Sequence, residues 1–266
     1  MNLSNPIYHN AEKAREHLEA LLWPDGPCCP HCQTTNRASK IKGGRAGLYF
    51  CNVCRSQFSV TVKTVFERSK IPLNKWVLAT HFMSASKTGV SAHQLHRMLD
   101  ITYKSAWFMC HRIREAMKDT DTTPMGGRGE SVQVDETYYG NTSKRATTEK
   151  VRNILFTTVD RKSTLVSDES RLYKFTGKAY ADHQTVHHAS GTYVNKKGFS
   201  TNNVENFFGV FKRSIKAHIV VSEQHLNRYV AESVFRYTNR KITDFERALE
   251  ALKGIEGKRL TYRPIG

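Results

Sequence analysis

The sequence predicts a multidomain α/β (α+β) chain, and three observations carry that expectation. Four cysteines near the start fall in two close pairs, Cys29 with Cys32 and Cys51 with Cys54. From about Pro72 to Lys118, apolar residues recur at helical spacing. Beyond a glycine-rich stretch, Val132 and Val134 alternate with polar residues and the run ends at Asp135, as in a half-buried strand. The expected divisions are an N-terminal helix over 1–24, a cysteine ribbon over 25–66, a helical domain over 67–118, a linker over 119–130 and a mixed domain over 131–266.

In the first segment, Ala11–Leu22 carries an apolar stripe, and Pro24–Asp25–Gly26 should stop the helix. The cysteines that follow read C-x2-C-x18-C-x2-C. Four thiolates in two tight turns suit tetrahedral zinc, so Cys29, Cys32, Cys51 and Cys54 are the expected ligands. Cys28 lies outside that spacing, and His31 reads as a turn residue. No ligand position is left open, which makes the ion structural. Arg37, Lys40, Lys42 and Arg45 stand between the pairs, giving a zinc ribbon with a basic hairpin.

In the helical segment, Trp76, Leu78, Ala79, Phe82 and Met83 make one stripe. Ser91 with Gln94 three residues on starts a second helix as a capping box would. Asp100–Ile101–Thr102 turns the chain into a third helix from Tyr103 to Met117, with Cys110 a small core residue. The last two helices resemble a helix-turn-helix whose second member offers Lys104, His111, Arg112 and Arg114 to DNA. A plain packing domain of three helices is the alternative.

Composition sets the partner class. The chain has 266 residues and a net charge of +17, so a polyanion is expected, because neutralising phosphates releases counterions. No apolar run is long enough to span a bilayer, and Met1–Asn10 is polar, so a cytoplasmic protein with six reduced or metal-bound cysteines is expected.

Three carboxylates stand out in the mixed domain. Asp135 ends the Val132–Val134 alternation, Asp168 ends Leu165–Val166–Ser167, and Glu205 lies near the start of an amphipathic helix. Such a set could hold two hard divalent cations beside water and phosphate, although an ordinary strand-end acid explains Asp135 alone. Val204, Phe208, Phe211 and Ile215 form the apolar stripe of the Glu205 helix, and Lys212 falls two turns beyond Glu205 on nearly the same side. A further helix over Ser222–Asn239 should back the core through Leu226, Tyr229, Val230, Val234 and Tyr237. His183, His187 and His188 read as strand-lining or DNA-contacting residues rather than ligands, since carboxylates suit magnesium better.

The order of these motifs carries a resemblance. A CPHC…CxxC ribbon, a helix pair, VDETYYG, VSDESRLY, TNNVENFFGVFKRSIK and HLNRYVAESVFRYTNR follow one another, and Ala248–Gly254 to Arg259–Arg263 closes the chain. Nearly the whole chain resembles bacterial insertion-sequence transposases of the IS1595 (ISXO2-like) group. That resemblance implies an RNase H-like domain with an Asp-Asp-Glu triad and magnesium. The triad would be Asp135, Asp168 and Glu205, with Lys212 the downstream basic residue and Glu136 a neighbour rather than a ligand. It also implies binding of the terminal inverted repeats and of target DNA, strand cleavage and transfer, and a homo-oligomer on DNA.

One spacing departs from that pattern. Asp135 and Asp168 stand 33 positions apart, and Asn141–Lys150 is polar. A two-strand hairpin needs roughly a dozen residues beyond its turn. The expectation is therefore an internal deletion near Lys150–Val151 that removes two strands beside Asp135 and impairs the chemistry. A repeat-binding protein without chemistry and another RNase H-like nuclease stand as alternatives.

Overall fold

The structure is a computed structural model that describes residues 3–140, 145–187, 194–218 and 220–261. The expectation for His188 and the last residues of the tail lie outside them. In chain order the elements are α1 (Ala11–Leu22), β1 (Ala38–Lys40), β2 (Tyr49–Cys51), β3 (Gln57–Phe58), α2 (Leu73–Ala85), α3 (Ala92–Leu99) and α4 (Tyr103–Ala116). They continue as β4 (Ser131–Gln133), α5 (Thr148–Thr158), β5 (Thr164–Ser167), α6 (Arg171–Lys174), β6 (Asp182–Thr185), α7 (Asn202–Lys216), α8 (Glu223–Thr238) and α9 (Asp244–Lys253). Two compact units result: Thr120–Arg213, and Met1–Asp119 together with Ser214–Gly266. The expected 131–266 domain is thus divided at Arg213, inside α7. No helix among the described residues is long and apolar enough to cross a membrane.

In the larger unit, α1 starts where Asn10 Oδ1 accepts the N–H groups of Glu12 and Lys13, at 2.8 and 3.0 Å. It ends before Pro24, and Ala14 and Leu18 are fully buried. β1, β2 and β3 form an antiparallel sheet in that order, with Ala38 opposite Cys51 and Tyr49 opposite Phe58. The Trp23 ring meets Tyr49 and Phe58 edge-on at 5.4 and 5.7 Å, which fastens the end of α1 to the ribbon.

Ser91 Oγ accepts the Gln94 N–H at 3.1 Å to begin α3, and Thr102 Oγ1 accepts the Ser105 N–H at 3.2 Å to begin α4. Between them Asp100 takes a left-handed conformation, φ +48°, that turns the chain sharply. The α4 surface corrects one expectation. Lys104 is exposed, but His111, Arg112 and Arg114 are buried, so three of the four residues assigned to DNA face inward. Arg112 lies over the Phe108 ring at 4.7 Å, and Arg114 pairs with Glu232 of α8. Val234 is also corrected: it is exposed, and α8 buries Tyr229, Glu232, Ser233 and Arg236. α9 is held by Arg247, which donates from Nη1 to the Ser84 carbonyl of α2 at 2.9 Å.

In the smaller unit, β4, β5 and β6 form a parallel sheet in that order. Parallel central strands are covered on both faces, and β5 fits that rule: Leu165, Val166 and Ser167 are all buried. Val151, Leu155 and Val159 pack from the α5 segment with Leu165, Tyr173 and Tyr180. Among the described residues β4 pairs with β5 alone. Gly126 precedes this strand with φ +87°, and a Cβ there would lie 2.2 Å from Ser163 Oγ, so the approach needs glycine.

Candidate metal centres

The ribbon brings Cys29, Cys32, Cys51 and Cys54 together, with all four sulfurs within 4.8 Å of one another. Cys29 Sγ lies 3.6 Å from Cys54 Sγ, and Cys32 Sγ lies 3.6 Å from Cys51 Sγ. Zn–S bonds of about 2.3 Å in a tetrahedron put sulfurs roughly 3.8 Å apart, whereas disulfide sulfurs would touch at about 2 Å. The four thiols are unbridged, and His31 is exposed. Burial pushes the Cys29 thiol up to about 12, while contact with Thr34 draws Cys32 down to about 6. A zinc ion would displace the proton of the buried Cys29 thiol and offset the thiolate's charge, and the four-sulfur donor set fits zinc.

The second cluster is built by register. In the parallel β4–β5 pair, Gln133 stands opposite Val166. Two residues further on each strand come Asp135 and Asp168, so both acids leave the carboxyl ends of adjacent strands, where α/β sheets bind ligands. Oxygens of Asp135, Glu136 and Asp168 all lie within 4.8 Å of one another. The Glu136 N–H donates to Asp135 Oδ1 at 2.7 Å, and the Ser170 N–H donates to Asp168 Oδ1 at 3.0 Å. Burial, then repulsion from Asp168, holds the Glu136 carboxyl above its usual range, opposed by a hydrogen bond from Tyr173. Glu136 Oε1 is buried without a hydrogen-bond partner. An all-carboxylate donor set with an orphaned oxygen fits a hard divalent cation such as magnesium.

Glu205 is not in that group. It sits half-buried on the first turn of α7, where its Oε1 accepts from Thr201 Oγ1 at 2.8 Å. The Asn203 N–H donates to Gln133 Oε1 at 3.2 Å, so this turn is fastened to the end of β4. Lys212 is exposed on the same helix. His183 Nε2 is 2.9 Å from Ser167 Oγ and His187 Nδ1 is 3.0 Å from Glu169 Oε2, so both pair within this unit. The sequence places Glu136 beside Asp135 as a neighbour rather than a ligand, and the structure brings its carboxylate into the same acidic group. The only signal was its adjacency to Asp135 where strand alternation stops.

Comparison with known proteins follows the same two centres. The transposase zinc-ribbon domain family matches residues 9–57, which include all four cysteines. The ISXO2-like transposase domain family matches residues 141–238, which include Asp168, Glu205 and Lys212 and begin after Asp135. An uncharacterized protein in transposable element ISH50 of Halobacterium salinarum is 30% identical over 129 residues, covering 47% of this chain. The match spans 41% of that relative's length. No solved structure matches the chain. The chain therefore carries two domains of IS1595-type transposases, a zinc-ribbon domain at residues 9–57 and an ISXO2-like transposase domain at residues 141–238.

Proposed function

We propose that the chain binds the terminal inverted repeats of an insertion sequence and catalyses magnesium-dependent strand cleavage and transfer. The observation that carries this reading is the convergence of Asp135 and Asp168 at the ends of paired parallel strands. Magnesium bound there would polarise the phosphate and activate water or a 3′-hydroxyl for in-line displacement. Asp135 and Asp168 would hold it, and Glu205 would supply the third carboxylate from the α7 turn fastened to β4. Lys212, two turns on, would meet the substrate backbone. The exposed Arg37, Lys40, Lys42 and Arg45 of the ribbon hairpin would neutralise phosphates. Two ends must be cut together, so the active form would be a homo-oligomer on duplex DNA.

A second reading has its own support. The three-stranded sheet among the described residues, with β4 paired only to β5, is what a deletion beside Asp135 would leave. That favours a protein that occupies repeats without cutting them. Duplexes carrying the sequences that flank the reading frame, incubated with the full chain and magnesium, separate the two. Nicks and strand-transfer products, lost in Asp168→Asn with binding retained, support the transposase. Binding without cleavage supports the second reading, and cleavage without joining points to a nuclease.

A further inference from the structure

The segment that follows Asp168 carries an exposed stripe outside the acidic cluster. The Ser170 N–H donates to Asp168 Oδ1 at 3.0 Å, and α6 begins at the next residue. The backbone stays helical through Phe175 (φ −86°, ψ −40°) and Thr176 (φ −64°, ψ −40°) into a short 3-10 turn over Gly177–Ala179. Tyr173, Thr176 and Tyr180 are buried. Arg171, Lys174, Phe175 and Lys178 are exposed, at the i, i+3, i+4, i+7 spacing of one helical face. The stripe has a firm base. Tyr180 Oη donates to the Leu155 carbonyl at 2.9 Å, and a Cβ on Gly177 would lie 2.1 Å from His183 Nδ1, so the turn presses against β6.

Phe175 is 71% exposed, the most exposed aromatic ring among the described residues. A lone exposed apolar side chain needs no partner, but this one stands among three cations, with Lys178 Nζ 5.7 Å from its centroid. Among the described residues no ion pair reaches Arg171, Lys174 or Lys178, while Glu169 and Asp182 pair with His187 and Lys197. Cations without counter-ions along one face suit phosphates, and an aromatic face between them suits a base. Helical rise puts Lys178 about 10 Å along the axis from Arg171, the rise of about three phosphates on one strand. A base inside a duplex is already stacked, so the ring can take only an unpaired one. We propose that Arg171, Lys174, Phe175 and Lys178 hold an unpaired DNA strand beside the cation site, with a base stacked on Phe175 and phosphates on the three cations. This rests on the DNA reading proposed above and names the form of strand that the site takes.

Fluorescence anisotropy on the full zinc-loaded chain tests it, without magnesium so that nothing is cut. The probes are a labelled oligothymidylate of about twelve nucleotides, an abasic oligomer with the same phosphates, and a blunt duplex. The wild-type chain should bind the oligothymidylate more tightly than the abasic oligomer. Phe175→Ala should weaken oligothymidylate binding about fivefold or more and leave the abasic oligomer unchanged, and Phe175→Trp should keep the wild-type preference. Arg171→Gln with Lys174→Gln should lower the salt slope for both oligomers by up to about 1.4. If Phe175→Ala binds both oligomers as the wild type does, or weakens both equally, the inference is overturned, and duplex binding leaves the DNA reading standing. Loss of self-association with unchanged oligomer binding would make the stripe a protein contact and overturn it too. Failure of the wild-type chain to bind any of the three probes overturns both.

Discussion

Arg114 Nε donates to Glu232 Oε2 at 2.6 Å, with the two side chains 2% and 1% exposed, and so ties α4 to α8. Arg236 adds a second cation 3.7 Å from Glu232 Oε1 and donates to Ser214 Oγ at 2.7 Å. Burial alone would raise the Glu232 carboxyl, but Arg114 and Arg236 hold it below its usual range. Breaking such a pair leaves a charge stranded in the core. Arg114→Ala or Glu232→Ala should each cost roughly 3–5 kcal/mol in urea unfolding. Arg114→Met with Glu232→Leu should cost much less than the sum. Single losses below about 1 kcal/mol would show that the pair is not buried.

The same region should make the larger unit sensitive to acid. Burial, then Arg114, draws His111 down to about 3, and burial, then Arg114, draws His218 down to about 4. Unfolded histidine titrates near 6.5. Both folded values lie below it, so the unfolded state takes protons first, and the stabilisation present above about pH 6.5 is lost progressively as pH falls toward those values. Melting followed from about pH 7.5 to about pH 4.5 should show a falling Tm, and His111→Leu should flatten the fall. A Tm unchanged across that range would contradict the burial of these rings.

Zinc should hold the ribbon. Metal analysis should find about one zinc per chain, and Cys51→Ser should lose it. Because Trp23 packs on Tyr49 and Phe58, chelation should expose its ring and shift tryptophan emission to the red. A Cys51→Ser chain that keeps its zinc and its emission would contradict the assignment of all four cysteines as ligands.

DNA affinity should come from the ribbon hairpin rather than from the inner half of α4. Lys40→Ala with Lys42→Ala should lower the salt slope of duplex binding by up to about 2. Arg112→Ala should act through folding, because its guanidinium lies on Phe108 and Trp76. A salt slope unmoved by the lysine pair but reduced by Arg112→Ala in a folded chain would reverse this assignment.

Local signals explain which parts of this fold were legible. Asn10, the Ala14–Leu18 stripe and Pro24 bound α1 from its own residues, and the paired cysteines need only two tight turns. The inward turn of Arg114 was not legible, because its partner Glu232 lies 118 residues away and α4 alone looks like a basic helix. Asp135 and Asp168 were readable as strand ends, and the parallel register that aligns them follows from the covered β5. The place of Glu136 in the acidic group was not, because only the pairing of β4 with β5 brings Asp168 beside it. Val234 followed the apolar period, yet the buried face of α8 is set by the polar network around Glu232.

The central claim is that Asp135 and Asp168 share a divalent cation. The most direct measurement is an anomalous difference map from crystals grown with manganese, in which the ribbon zinc serves as an internal control. The account predicts a peak about 2.1 Å from carboxylate oxygens of both Asp135 and Asp168, at hard-cation distance. A clear zinc peak among Cys29, Cys32, Cys51 and Cys54 with no manganese at the acidic cluster would contradict it.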